Sequence, residues 1–124
     1  MKNKVLIGAC ALFGVAMIAF GINKLVPFIP MPELSAEQVA VFGAFGTIKW
    51  LMPLVGIAEI VGGLLIAIPK TRALGALIIF PVVVGIFVHN AVFEPEGLGL
   101  AGFFLSVNLW AIVDSKEKYT PMIG

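Results

Sequence analysis

Long apolar runs alternate with short polar stretches along this chain, and four of the runs are long enough to cross a lipid bilayer. They extend over about residues 5–26, 49–68, 73–93 and 98–113. A membrane-spanning helix needs about 20 mostly apolar residues, and a helix in lipid satisfies its own backbone hydrogen bonds. The pattern therefore predicts an all-α integral membrane protein, a bundle of four transmembrane helices.

A shorter extra helix is predicted in the first connection between spans, at about residues 36–45. Ser35 is typical of a helix N-cap, and Gln38 three residues later completes a capping box. One apolar face of this helix is formed by Val39, Phe42 and Phe45, with Val41 alongside. We expect that face to lie on the membrane surface or to cover the outer mouth of the bundle.

The composition supports a membrane protein, because 60% of the 124 residues are hydrophobic, only 12% are charged and the mean hydropathy is +1.11. A soluble domain of this length cannot bury so much apolar surface. The net charge of +1, with no basic stripe, argues against a nucleic-acid partner. The lipid bilayer is the expected surrounding, and the first apolar run is expected to be a span that is not cleaved.

Cysteine and histidine each occur once, as Cys10 and His89. A single cysteine excludes an internal disulfide and a Cys-x-x-Cys redox pair. The two residues together are too few for a zinc site within one chain, so we expect no metal centre.

Basic residues indicate the orientation of the spans. Six of the eight fall on one side if both termini are cytoplasmic: Lys2, Lys4, Lys70, Arg72, Lys116 and Lys118. The other side receives Lys24 and Lys49 together with several acidic residues. The positive-inside rule therefore predicts cytoplasmic N- and C-termini.

Glu59 is the strongest functional lead, because it lies in the middle of the second apolar run. A carboxylate there costs roughly 3 kcal/mol on insertion scales, so it is usually paired or neutral and faces the bundle interior. Asn108 lies at a similar depth in the fourth span, roughly 15 Å by the rise of a helix. The two side chains can hydrogen-bond if their faces meet.

Four further polar residues lie near the outer ends of the first and third spans, namely Asn23, Lys24, His89 and Asn90. Together with Glu59 and Asn108 they predict a ligand-binding pocket that opens to the outer side and closes near Glu59. The alternative interpretations stay open for each: Glu59 as a protonated structural acid, Asn108 as interhelical glue, His89 as a satisfied polar residue and Lys24 as a snorkelling side chain.

The chain resembles the DoxX-like family of small four-helix bacterial membrane proteins. The resemblance rests on four segments in order: Phe20–Leu25 with its Gly-x-x-Lys pattern, Pro53–Leu65 with an acid before glycine and leucine, the pair His89–Asn90, and Asn108–Trp110 followed by the charged tail to Tyr119. These segments cover nearly the whole chain. The resemblance implies a multi-pass protein of the bacterial cytoplasmic membrane.

Founding DoxX-like proteins are associated with a thiosulfate:quinone oxidoreductase, and others with membrane redox complexes. The resemblance therefore implies a membrane subunit of a redox system that binds a quinone or a similar small molecule, with protein partners in a redox complex. Two alternatives stay open. In one the chain is a non-enzymatic scaffold with Glu59 structural, and in the other it is a small transporter, for which four spans favour a homo-oligomer.

Overall fold

The computed structural model describes residues 2–26 and 35–123, and within them the chain forms six α-helices and one short 3₁₀ helix. In chain order these are α1 (Lys2–Leu25), α2 (Ala36–Thr47), α3 (Leu51–Ala67), α4 (Arg72–Phe93), the 3₁₀ helix Pro95–Gly97, α5 (Leu98–Asp114) and α6 (Lys116–Ile123). This described part of the chain contains no strand. The all-α prediction is confirmed.

Three stretches are long and apolar enough to cross a membrane: Lys4–Leu25, Arg72–Phe93 and Pro95–Asp114. α3 has only 17 residues and reaches the required length together with α2, from which it is bent by 88°. The described residues thus supply three candidate spans, or four if the bent pair is one span. Exposed apolar side chains such as Leu12, Leu54 and Leu100 cover the flanks of the helices. These features indicate a multi-pass membrane protein.

Four helices form a ring in which each packs against two others. α1 packs against α3 and α5, and α4 also packs against α3 and α5. Adjacent helices run in opposite directions. The C-terminus of α1 and the N-terminus of α3 lie beside α2, and we call this the α2 end of the bundle. The opposite end, beside α6, is the α6 end.

Two pairs of glycines bring α1 and α3 into close contact. A Cβ atom at Gly14 would collide with the carbonyl oxygen of Gly63, and one at Gly63 would lie 2.7 Å from the oxygen of Gly14. Gly21 and Gly56 make the same reciprocal contact, at 2.5 and 2.9 Å. Only glycine permits two helix backbones to approach this closely. Gly14 and Gly21, seven residues apart, therefore lie on the face of α1 that packs against α3.

The apolar core occupies the α6 end and the middle of the bundle. On α1 it consists of Leu6, Cys10, Phe13 and Met17, at the spacing of one helix face. The other helices contribute Ile66, Ala76, Ile79, Val83, Phe104, Val107 and Ala111. No residue of α1 beyond Met17 belongs to this buried set. In the last two turns of α1, Phe20 is only partly buried and packs against the edge of this set.

Polar side chains at the α6 end bond to backbone carbonyls. The Nε of buried Arg72 donates to the carbonyl of Ile66 at 3.1 Å, and the hydroxyl of Thr71 donates to that of Leu65 at 2.8 Å. The Tyr119 hydroxyl donates to the carbonyl of Ala73 at 2.7 Å, and partial burial raises the pKa of this phenol. These bonds satisfy carbonyls near the α3–α4 turn and hold α6 against the bundle.

The helix boundaries agree with the prediction in most places. α2 begins at Ala36 with the predicted Ser35 N-cap, and the Gln38 capping box is present. α3 is shorter than expected, because Lys49 and Trp50 form the turn between α2 and α3. The helix α6 was not predicted, since its sequence is polar and contains Pro121.

Candidate functional site

Lys24 and Glu59 form an ion pair that joins α1 to α3. The Lys24 Nζ lies 2.6 Å from the Glu59 Oε1. The Glu59 side chain is fully buried, whereas 22% of the Lys24 side chain is exposed. Within the described residues, the second oxygen of Glu59, Oε2, has no hydrogen-bond partner. A buried carboxylate therefore keeps one acceptor oxygen unused.

A cavity of about 380 Å³ lies directly against this ion pair. Its walls include Glu59, Lys24 and Asn90, together with Phe20 and Phe104 from α1 and α5. Because the core side chains end near Met17, this space lies in the part of the bundle that the core leaves open. It provides room for water or for the polar group of a ligand next to a charged pair.

A larger cavity of about 600 Å³ lies between α3 and α4 and beneath α2. The two cavities share five lining residues: Lys24, Phe42, Ile86, Asn90 and Glu94. Most other residues of the larger cavity are apolar, including Met52 and Val55 of α3. A volume in this range, mostly apolar with a few polar groups at one end, is typical of a small-molecule site.

His89, Glu94 and Gln38 form a network of side chains at the α2 end. The Nε2 of His89 lies 3.0 Å from Glu94 Oε2, and the Nε2 of Gln38 donates to Glu94 Oε1 at 3.1 Å. The ring of His89 lies among Phe42, Phe45 and Phe93, with centroid distances of 5.8, 5.7 and 5.3 Å. Glu94 thus links α2 to the end of α4.

α2 covers the larger cavity with one of its faces. That face consists of the half-buried residues Gln38, Val41, Phe42 and Phe45. Val39 was predicted on this face, but it is 57% exposed and points away. The prediction for Val39 is wrong, because a helix has 3.6 residues per turn and the spacing 38, 41, 42, 45 fits the face that meets the bundle.

Asn90 belongs to the site and Asn23 lies next to it. Asn90 lines both cavities, and its Nδ2 donates to the carbonyl of Ile86 at 2.7 Å. Asn23 is half-buried on α1, one residue before Lys24, and lines neither cavity. Four of the predicted site residues therefore line one or both of the two neighbouring cavities, namely Lys24, Glu59, His89 and Asn90.

Asn108 lies elsewhere, so the predicted bond between Asn108 and Glu59 is not formed. The Nδ2 of this fully buried residue donates to the carbonyl of Ala76 at 3.1 Å. Ala76 follows the start of α4 by one turn, so Asn108 lies toward the α6 end and lines neither cavity. This bond joins α5 to α4, as in the interhelical alternative left open by the sequence, and the Oδ1 of Asn108 has no hydrogen-bond partner among the described residues.

Two functional positions were missed by sequence reasoning. Glu94 was considered only as part of the charge balance, and Gln38 only as a capping residue. The signal for the Lys24–Glu59 pair was also present, because Gly14 and Gly21 have the same seven-residue spacing as Gly56 and Gly63. Antiparallel pairing of these glycines sets the register of α1 on α3.

The fold and the site define a helical membrane protein with a closed end and a polar, cavity-lined end. No protein-family model, curated protein or solved structure matches this chain. Within the described residues, no group of three or more His, Cys, Asp or Glu side chains is placed to hold a metal ion. The polar side chains that line the two cavities are Lys24, Glu59, His89, Asn90 and Glu94.

Proposed function

We propose that the chain is a four-span protein of the bacterial cytoplasmic membrane, related to the DoxX-like proteins, with both termini in the cytoplasm. The four packed helices α1, α3, α4 and α5 support four crossings, with α3 completing its span through the bent connection to α2. Lys4, Lys70 and Lys116 lie toward the α6 end, whereas Glu94 and Glu96 lie toward the α2 end. This distribution favours a cytoplasmic α6 end.

The proposed activity is the binding of a quinone, or of a chemically similar small molecule, at the α2 end as part of a membrane redox system. The observation that carries it is the Lys24–Glu59 ion pair beside a cavity, with Glu59 Oε2 unpartnered among the described residues. A buried carboxylate is costly in a membrane protein and marks a functional site by default. Here it lies where a ligand has room.

The polar groups suit the chemistry of a quinone. Its carbonyl oxygens accept hydrogen bonds, which the Lys24 ammonium and a protonated ring nitrogen of His89 can donate. Reduction of a quinone to a quinol adds two electrons and two protons. The electrons would come from a partner protein of the redox system, and Glu59, His89 and Glu94 are side chains at the site of a type that can carry protons.

The test is a titration of the purified protein in mild detergent with decylubiquinone, followed by quenching of tryptophan fluorescence. The wild type should bind the quinone, and Glu59→Gln should weaken binding by about tenfold, or 1.4 kcal/mol. Asn108→Ala, at the other end of the bundle, is the matched control and should bind as the wild type does. Equal binding by the wild type and Glu59→Gln would contradict a role for this carboxylate.

A scaffold role is the second candidate, and one observation favours it. The Lys24–Glu59 pair joins the same two helices that the glycine pairs Gly14–Gly63 and Gly21–Gly56 bring together. In that case the pair acts as an internal brace, and the chain anchors partner proteins in the membrane. A wild-type protein that binds no quinone, while Glu59→Gln lowers only its thermal stability, would favour the scaffold.

A further inference from the structure

The α4 wall of the larger cavity changes from apolar to polar along one stripe of the helix. Pro81, Gly85 and His89 line the cavity at spacings of four residues, which places them on the same face. Successive members are about 6 Å apart along the helix axis. His89 is half-buried at the α2 end, whereas Pro81 and Gly85 are exposed. The cavity therefore reaches the flank of the bundle at Pro81 and Gly85.

α3 forms the opposite wall, with Leu51, Met52 and Val55. α2 covers only the polar end of the cavity, through Phe42 and Phe45. Because α3 and α4 are neighbours in the bundle, the part that no described residue covers is a groove between them. On the flank of a membrane helix bundle, such a groove faces acyl chains.

Packing within the described part of the chain does not require glycine at position 85. A Cβ atom built there meets no described atom within 4 Å, and no positive backbone φ is found at this position. Gly14, Gly63 and Gly75, in contrast, lie against the backbone of a neighbouring helix. Gly8 and Gly99 also have open space around them, but of these three uncrowded glycines Gly85 alone lines the cavity. The absence of a side chain at Gly85 therefore widens the groove.

We propose that the larger cavity opens sideways into the lipid between α3 and α4 at Gly85, and that its ligand is a lipid-dissolved amphiphile. The ligand places a hydrogen-bonding head between His89 and Lys24, while its apolar tail leaves the protein past Gly85 and Pro81. This inference rests on the proposed function, because it assigns the substrate class of the same site.

The division of polar and apolar groups along the cavity supports this orientation of the ligand. Lys24, His89, Asn90 and Glu94 all line its α2 end. Farther from the α2 end, the lining is Val55 of α3 with Pro81, Val82 and Gly85 of α4. A hydrogen-bonding head finds polar partners at the first position, and an apolar tail finds apolar neighbours at the second.

The test compares two quinone probes in the same detergent, decylubiquinone with its ten-carbon tail and ubiquinone-0, which has the same head group and no tail. Gly85→Trp places a large side chain across the opening, and Gly85→Leu a smaller one. Gly99→Trp on α5 is the matched control, because its Cβ also meets nothing within 4 Å. Comparing variants at constant detergent cancels the partitioning of the tailed probe into micelles.

We expect Gly85→Trp to weaken binding of decylubiquinone by about tenfold and that of ubiquinone-0 by less than about twofold. Gly85→Leu should give an intermediate loss of binding affinity for the tailed probe alone. This variant replaces Gly85→Trp in the test if Gly85→Trp does not fold. Gly99→Trp should leave both probes unchanged.

Two other outcomes would overturn the sideways opening while leaving the proposed function intact. In one, the Gly85 variants weaken both probes equally, and in the other they weaken neither, so that the tail does not pass this residue. If the wild-type protein bound neither probe, the result would contradict both the proposed function and this inference. The tailless probe thus reports on the site, and the difference between probes reports on the opening.

Discussion

Polar side chains have different kinds of hydrogen-bond partners at the two ends of the bundle. At the α6 end, Arg72, Asn108 and Tyr119 each donate to a backbone carbonyl of α3 or α4. At the α2 end, Lys24 pairs with the side chain of Glu59 and His89 with that of Glu94, while Asn90 donates to the carbonyl of Ile86 within its own helix. The core fills the first region, whereas cavities of about 600 and 380 Å³ occupy the second.

This difference separates structural polar groups from candidate functional ones. A backbone carbonyl of another helix is a fixed partner, so a side chain bonded to it stabilises one arrangement of the two helices. Side chains that pair with each other beside a cavity can exchange that partner for a ligand, because both have rotatable bonds and space to move. The account therefore assigns stability to the α6 end and binding to the α2 end.

The largest effect is expected from Gly63→Leu, which separates α1 from α3. A Cβ atom alone would lie 2.7 Å from the oxygen of Gly14 and 2.9 Å from the Cβ of Met17, so the helices must move apart. We expect a loss of more than about 3 kcal/mol in the free energy of unfolding, seen as little folded protein in the membrane fraction. Gly8→Leu on α1, which meets open space, should accumulate normally.

If Gly63→Leu accumulated and melted like the wild type, the glycine contacts would not set the helix register. The Lys24–Glu59 pair would then need another explanation.

The next largest effect is expected from Lys24→Met, which leaves Glu59 buried without its cation. The loss in thermal stability should correspond to about 2 to 3 kcal/mol, because an unpaired buried charge is costly. The double variant Lys24→Met with Glu59→Leu should recover part of the loss, since it removes both charges. Lys49→Met, an exposed lysine near the same end, is the control. Additive losses in the double variant would show that the two residues do not interact in the folded protein.

The smallest effects are expected from two asparagines, one at each end of the bundle. One substitution should change stability alone, and the other should change quinone binding alone. Asn108→Ala removes the bond to the carbonyl of Ala76 and should lower stability by about 1 kcal/mol without changing quinone binding. Asn90→Ala alters the lining of both cavities and should weaken binding about fivefold with little change in stability. Melting curves and quinone titrations of both variants check this. If each variant changed both quantities alike, the two ends would not be functionally distinct.

The sequence predicts the helices well, because apolar periodicity and the capping box are local signals. Four of the five expected helices, α2 to α5, begin and end within two residues of the expected positions, and α1 begins three residues earlier than expected, at Lys2. The buried position of Glu59 also follows from its place in an apolar run. Its partner does not, since Lys24 lies on another helix and only the register between α1 and α3 brings the two together.

Asn108 shows the limit of counting residues along a helix. Its depth was estimated from the start of its span, but depth does not determine which neighbouring helix a side chain faces. In the structure Asn108 faces α4, so it bonds to Ala76 and not to Glu59. The cavities themselves were predictable only as a cluster of polar residues, because their volume depends on where the core side chains stop.

Native mass spectrometry of the chain purified in mild detergent tests the central claim most directly, with extraction and identification of any small molecule that remains bound. The account predicts a defined lipid-soluble ligand on the wild type and on Asn108→Ala, and its loss from Glu59→Gln. A wild-type protein that carries only bulk lipid, with the same spectrum for Glu59→Gln, would contradict a binding site at the α2 end.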